Sequence, residues 1–142
     1  MDFIEFSKPS AQEHNCFYGQ QSAAVLFYRI PMALFTDPDY KDLSIGAKTL
    51  YGLMLDRMNL SAENGWFDRQ GRVYIIFTVS EIMSALGCGK QKSLKLLDEL
   101  EKKGGLIKRR HQGKRRPNLI YVKNFMKDSP ESKFKKCENR TS

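Results

Sequence analysis

The sequence is poor in the residues that build disulfide frameworks and metal sites. Its 142 residues include three cysteines, far apart at positions 16, 88 and 137, and two histidines. An odd number of separated cysteines without a C-x-x-C pair argues against both a disulfide framework and a zinc site. No apolar run approaches the ~18 residues of a membrane helix, and the N-terminus lacks the features of a secretory signal. We therefore expect a cytoplasmic protein with no metal, no cofactor and no membrane partner.

Recognisable patterns of catalytic residues are missing as well. The sequence contains no Ser-His-Asp or Cys-His arrangement, no phosphate-cradling glycine loop and no paired-carboxylate pattern. We therefore expect that the chain is not an enzyme.

What the sequence has in excess is positive charge, and the excess lies in one segment. The formal net charge is +8. Residues 87–124 hold twelve Lys or Arg and three Asp or Glu, whereas residues 1–86 hold seven and ten. Charge confined to one segment is typical of a surface that binds an anionic partner.

The chain divides by pattern into an arm, one domain and a tail. Residues 1–24 predict an irregular N-terminal arm, residues 25–125 the folded domain, and residues 126–142 a linker or disordered tail. At the start of the domain, Val25–Pro31 predicts a short strand. Further on, the stripe Ala47–Met58 predicts an amphipathic helix, with Ser44 as N-cap. This helix is apolar on two sides, so it is covered either by other elements of the domain or by a partner subunit, and it and the arm are the candidates for a dimer contact.

The second half of the domain predicts a winged helix-turn-helix. Residues 66–77 predict a short hairpin, Thr78 and Glu81 a capping box, and Gly87 the end of a short helix. A second helix over residues 91–103 precedes a basic hairpin. The expected fold class is therefore α+β, a winged helix-turn-helix with an additional short hairpin and an N-terminal arm.

The residue pattern of the second helix indicates a contact with the major groove of DNA. Its inner face is expected to carry Ser93, Leu96, Leu97 and Leu100, which lie within about 100° of one another. The second helix of this motif lies in the major groove, where glutamine pairs with adenine and lysine reaches guanine or a phosphate. We expect the two acids at positions 98 and 99 to lie beyond this contact.

The basic hairpin is the predicted wing. Its apolar ends anchor it to the core, Gly113 permits its turn, and its cations are pushed outward towards phosphates and the minor groove. The predicted DNA-binding residues of the helix and the wing are Lys90, Gln91, Lys92, Lys95, Lys102, Lys108, Arg109, Arg110, Lys114, Arg115 and Arg116.

A set of longer motifs resembles a known family. These motifs are FYRIPMALF, LSIGAKTLYGLMLDRMNLS, NGWFDRQGRVYIIFTVSEI, KSLKLLDELEKKGGLI and RRPNLIYVKNF, spread over residues 27–125. They resemble the N-terminal domain of plasmid replication initiator A proteins of Gram-positive bacteria. The resemblance implies a winged helix that binds the repeats (iterons) of a plasmid origin as a homodimer and starts replication. It also implies a further C-terminal domain for host replication proteins. The wing tip HQGKRRPN is more basic than is usual in that family.

Two other functions fit the same residues. A transcription regulator would use the same DNA-binding half, and a protein-interaction winged helix would present its basic wing to an acidic partner. The residues of the DNA-binding half do not separate replication from transcription.

Overall fold

Four α-helices and three short β-strands form the part of the chain that the computed structural model describes, residues 13–19 and 26–126. The three strands make one antiparallel sheet in the order β1-β3-β2, with Ile75 opposite Ile120 and Ile107 opposite Val122. The helices pack on this sheet, so the predicted α+β class is confirmed. In chain order the elements are α1 (Ala33–Thr36), α2 (Ile45–Glu63), β1 (Ile75–Ile76), α3 (Val79–Leu86), α4 (Lys90–Asp98), the π turn (Glu99–Lys103), β2 (Ile107–Arg110) and β3 (Leu119–Val122).

Helix α2 forms the centre of the domain. The Ser44 hydroxyl accepts the backbone N–H of Ala47 at 3.1 Å, which confirms the predicted N-cap. Leu50, Tyr51 and Met54 have no solvent exposure, and the Tyr51 hydroxyl donates to the carbonyl of Lys123 just after β3. A buried tyrosine needs such a partner for its hydroxyl, and here that partner joins α2 to the end of the wing.

Helices α3 and α4 form the predicted helix-turn-helix. The Thr78 hydroxyl accepts the N–H of Glu81 at 3.1 Å, and the Glu81 carboxylate accepts the N–H of Thr78 at 2.9 Å. This is the capping box expected from the sequence. Gly87 ends α3 at a φ of +66°, a backbone conformation that favours glycine. The predicted inner face of the second helix is confirmed, because its four residues are buried: Ser93, Leu96 and Leu97 on α4 and Leu100 in the π turn that follows.

The last turn of the second helix is wider than predicted. The sequence predicts one continuous α-helix, but Glu99–Lys103 form a π turn. The turn closes through the N–H of Gly104, which donates to Glu99 at 3.0 Å, and of Leu106, which donates to Leu100 at 2.8 Å. The wider turn keeps Leu100 buried while Glu101 lies beside the start of the wing.

The predicted strand Val25–Pro31 is wrong over its described residues. Residues 26–31 are irregular and have no strand partner. The apolar side chain of Leu26 is 96% exposed. A strand needs a neighbour for its hydrogen bonds, and this segment instead crosses α2 at Gly52. A Cβ at Gly52 would lie 2.8 Å from Ile30 Cγ1 and 3.1 Å from the carbonyl oxygen of Arg29.

The predicted hairpin over residues 66–77 is present in a reduced form. A single bridge joins Phe67 and Val73, and β1 pairs with β3 of the wing instead. The rings of Trp66 and Tyr74 stack with centroids 6.0 Å apart, which packs the two arms of the hairpin together. Most of the predicted arm and tail lies outside the described residues, so those domain boundaries stay predictions.

Candidate nucleic-acid interface

Helix α4 presents a polar, cationic face to solvent. Its first turn holds three of the predicted residues, all exposed, and the burial of Ser93 and Leu96 forces this arrangement. No acidic residue lies among the first eight residues of α4, because Asp98 is its last residue. The exposed predicted residues of α4 and the π turn are Lys90, Gln91, Lys92, Lys95 and Lys102.

The tip of the wing is a closed turn that holds its cations in solvent. Gly113 has a φ of +112° and Arg115 a φ of +68°. The Gln112 side-chain amide donates to the carbonyl of Pro117 at 2.7 Å, and His111 Nδ1 lies 3.0 Å from the side-chain oxygen of Asn118. These polar contacts fix the tip, whose exposed cations are Lys114, Arg115 and Arg116.

The cations of strand β2 lie on two different faces of the sheet. Successive side chains of a strand point to opposite faces, so Arg109 shares a face with Ile107, whereas Lys108 and Arg110 occupy the other. The register agrees, since Lys108 lies opposite Tyr121 and Arg109 lies opposite Ile120. The predicted wing cations are therefore divided, and only Arg109 faces α4.

Arg109 is held by two carboxylates of α4 and the π turn. Its Nη2 lies 2.6 Å from Asp98 Oδ1 and its Nε lies 2.6 Å from Glu101 Oε1. The backbone N–H of Arg109 also donates to Glu101 Oε2 at 3.3 Å. Its side chain is 21% exposed. The other predicted cations of the helix and the wing form no ion pair within residues 26–126.

Pairing with Arg109 lowers the pKa values of the Asp98 and Glu101 carboxyl groups. The hydrogen bond from Arg109 lowers the pKa of Asp98 below its ordinary value. Burial raises the pKa of Glu101, but the hydrogen bonds and the charge of Arg109 outweigh it, and the net shift is downward. Asp98 therefore lies beside the wing, and its charge is compensated there. The predicted DNA contact of Arg109 is untested, and its two ion pairs favour a role in placing the wing instead.

The other face of the sheet gathers cations that sequence reasoning missed. Lys108 and Arg110 lie there together with three residues from outside the predicted set: Arg69, Arg72 and Lys123. The guanidinium of Arg72 lies over the ring of Tyr121, 4.6 Å from its centroid. The two-residue period of β2 was an available signal for Lys108 and Arg110 alone, because the other three cations lie outside that strand.

Other kinds of site are not seen in the described part of the chain. No group of three or more His, Cys, Asp or Glu within residues 13–19 and 26–126 is placed to hold a metal ion. No helix in those ranges is both long and apolar enough to cross a membrane. A cleft of about 500 Å³ lies between the end of α2 and α3, lined by apolar and polar residues that include the ion pair of Arg57 with Glu81.

Comparisons with known proteins give one consistent result. Residues 26–136 match the model of a family described as the N-terminus of Replication initiator protein A. A solved structure described as "Structure of Rep-DNA complex" is 32% identical, with a TM-score of 0.66, over 90% of this chain and 98% of that one. Another, described as "N-Terminal domain of DNA binding protein", is 32% identical, with a TM-score of 0.64, over 92% of this chain and 97% of that one.

A curated relative matches over a shorter stretch. It is a "41 kDa protein" from Lactobacillus helveticus, 31% identical over 80 residues. The match covers 56% of this chain and 23% of that protein. The chain therefore spans about a quarter of the length of this relative.

Proposed function

Since the chain belongs to the Replication initiator protein A N-terminus family, we propose that it binds double-stranded DNA sequence-specifically at the repeats of a plasmid origin and so initiates replication. The observation that carries this proposal is the exposed face of α4, where cations and one glutamine stand on a scaffold of buried leucines beside a basic wing. The chain acts as a binding module and not as an enzyme, and it works in the cytoplasm.

In this proposal the first half of α4 reads the bases. Gln91 is exposed in the first turn, where its amide forms a pair of hydrogen bonds with adenine N6 and N7. Lys95 lies one turn further along the same face and reaches guanine O6 and N7. The acid that follows, Asp98, is paired with Arg109 and is turned towards the wing. The base-reading end of the helix is thereby free of carboxylates.

The phosphates are held by cations at both sides of this contact. Six cations contribute, three from α4 and the π turn and three from the wing tip. Neutralising about six phosphates gives a slope of roughly −5 for log K against log salt. The six are Lys90, Lys92, Lys102, Lys114, Arg115 and Arg116.

The experiment starts from a site that the chain selects for itself. The wild-type chain is used to select a duplex from a random library, and its affinity is then measured by fluorescence anisotropy over a range of salt. We expect one preferred site, and a repeat of it in the origin of the element that encodes the chain. Equal affinity for all duplexes, with no protected repeat in that origin, would refute the proposal.

Two variants separate base reading from phosphate binding. Gln91→Ala should relax the preference at one base pair by about 1–3 kcal/mol. Arg115→Ala with Arg116→Ala should weaken binding to all duplexes and flatten the slope by roughly 2. Lys41→Gln removes an exposed charge outside the predicted DNA-binding residues and serves as the control.

We also propose that the chain binds its repeats as a homodimer. The support is a run of exposed apolar side chains before and within α1: Leu26, Phe27, Tyr28, Met32 and Phe35. A symmetric dimer requires paired half-sites about one helical turn apart. Sedimentation velocity with and without the selected duplex tests this, and Phe27→Ser should shift the mass towards one copy. A monomer on a duplex with a single half-site would contradict it.

We further propose that host replication proteins are partners in initiation. Host replication proteins would be engaged by a C-terminal domain, beyond the region matched here. Co-purification of the full-length protein with the host replication proteins, compared with the isolated domain, tests this.

A further inference from the structure

The domain carries a second group of cations on the face of the sheet that points away from α4. The five cations of this group line two neighbouring clefts, with volumes of about 670 Å³ and 490 Å³. Arg72 lines both clefts, so they form one continuous surface. We name this surface the outer patch and define it by Arg69, Arg72, Lys108, Arg110 and Lys123.

Asp68 lines the larger of the two clefts, and its carboxylate accepts four hydrogen bonds. Its Oδ1 accepts the backbone N–H groups of Gln70 and Arg72, each at 2.9 Å. Its Oδ2 accepts Arg72 Nε at 2.9 Å and the hydroxyl of Tyr121 at 3.0 Å. Its side chain is 11% exposed. Asp68 therefore positions Arg72 and leaves the outward charge of the patch strongly positive.

The remaining cations of the outer patch form no ion pair in the described part of the chain, although the charge of Lys108 contributes to the lowered pKa of Glu101. Arg69, Arg110 and Lys108 are exposed and form no ion pair with any residue of 26–126. Like charges held close together repel one another, and an anion on this surface relieves that repulsion. The wall of the larger cleft also holds the exposed side-chain amide of Gln70, a kind of group that can donate to anionic oxygens.

We propose that the outer patch is a second contact surface for duplex DNA, which takes phosphates outside the segment read by α4. This inference rests on the proposed function. The larger cleft is open and polar and holds three arginines, Arg69, Arg72 and Arg110, which fits phosphate oxygens because the guanidinium fork binds them in a bidentate manner. In this assignment Lys108 and Arg110 act with Arg69 and Arg72 from the loop before β1, and not with α4.

The phosphates come from one of two sources. In the first, the duplex under α4 continues past the wing, and its flank bends onto the outer patch. In the second, the patch holds a separate duplex. The chemistry of recognition is the same, and the length of the duplex separates the two sources.

The first measurement is lysine acetylation read by mass spectrometry. The probes are the selected site alone, about 14 bp, and the same site extended by about one helical turn at each end. We expect Lys95 to be protected on both probes and Lys41 on neither. If the flank is the source, Lys108 and Lys123 are protected on the long probe only.

The second measurement is the salt dependence of the affinity. Arg69→Gln and Lys123→Gln should each flatten the slope on the long probe by about 0.9 and leave the slope on the short probe unchanged. Lys41→Gln removes the same charge elsewhere and should change neither slope. Arg69→Lys should keep the wild-type slope, because it keeps the charge.

The separate duplex is tested by capture. Protein held on an immobilised short probe should capture a labelled second duplex, and Arg69→Gln with Arg110→Gln should abolish that capture. The inference is overturned if the patch variants leave the capture and the slopes on both probes unchanged and if Lys108 and Lys123 stay unprotected on both probes. Binding of poly-glutamate by the patch, at a salt concentration where no duplex binds it, would also overturn it and assign an acidic protein. Failure of the proposed function looks different, because Lys95 then stays unprotected on every probe.

Discussion

The ion pairs of Arg109 predict that this arginine places the wing and does not bind a phosphate. The perturbation is Arg109→Ala. It removes the contacts to Asp98 and Glu101 that join β2 to α4 and the π turn. The wing cations keep their charges, but the wing loses its fixed position beside α4.

The expected change in the free energy of unfolding follows from the exposure of the Arg109–Glu101 ion pair. Hydrogen bonds to charged groups contribute about 1.5–3 kcal/mol. Both Arg109 and Glu101 keep about a fifth of their exposure (21% and 23%), which places their pair near the lower end of that range. We therefore expect Arg109→Ala to lower the free energy of unfolding by about 1.5–2 kcal/mol.

The assay compares the salt dependence of DNA binding in two single-charge variants. Arg109→Ala should weaken binding several-fold with an unchanged slope, because no counterion-releasing contact is lost. Arg116→Ala, at the exposed wing tip, should flatten the slope by about 0.9. A double-mutant cycle with Glu101→Gln, followed by urea unfolding, should give a coupling energy of about 1.5 kcal/mol. A slope for Arg109→Ala that flattens as much as that of Arg116→Ala would refute this reasoning and restore Arg109 as a phosphate contact.

Three further predictions concern stability. Asp68 has its pKa lowered to about 2, because hydrogen bonds from Arg72, Tyr121 and Gln70 outweigh the effect of burial. A depressed pKa in the folded state stabilises the domain above the unfolded pKa of about 3.9, and this stabilisation is lost as pH falls towards 2. Urea midpoints should therefore fall less steeply between these pH values in Asp68→Asn than in wild type. An equal fall in both proteins would contradict this. Gly52→Ala should destabilise the domain by about 1–2 kcal/mol, since overpacking against a backbone carbonyl exceeds the helix-propensity gain of about 1 kcal/mol; a raised urea midpoint would disprove the close crossing. Thr78→Ala should cost about 1 kcal/mol through loss of the capping box, whereas Ser80→Ala within α3 should cost less, and equal losses in thermal unfolding would argue against the cap.

The local signals of the sequence predicted the helix-turn-helix well. A hydroxyl at Thr78 with a carboxylate three residues later, and a glycine at position 87, act through neighbouring backbone groups and need no knowledge of the fold. The leucine spacing of α4 is of the same kind, because a helix places every third or fourth residue on one face.

The features that were missed depend on contacts between distant segments. Val25–Pro31 has strand-like composition, but no neighbouring strand lies beside its described residues. The π turn follows from the way Leu100 and Glu101 meet the core and the wing. The pairing of Arg109 with Asp98 requires the register of β2 against β3, which brings a strand cation to a helix acid. The division of the wing cations between two faces was accessible from the two-residue period alone.

The carboxylate of Glu99 also has a partner outside its own helix. It accepts the backbone N–H of Ser44, and its Oε1 accepts the Ser44 hydroxyl at 2.8 Å. Ser44 is the residue that caps α2, so the base-reading unit and the central helix share one anchoring group. A tilt of α4 on docking must stretch or tighten that anchor. Amide hydrogen exchange at Ser44 and Ala47 therefore reports on DNA binding at the N-terminal end of α4, although both residues lie near its C-terminal end.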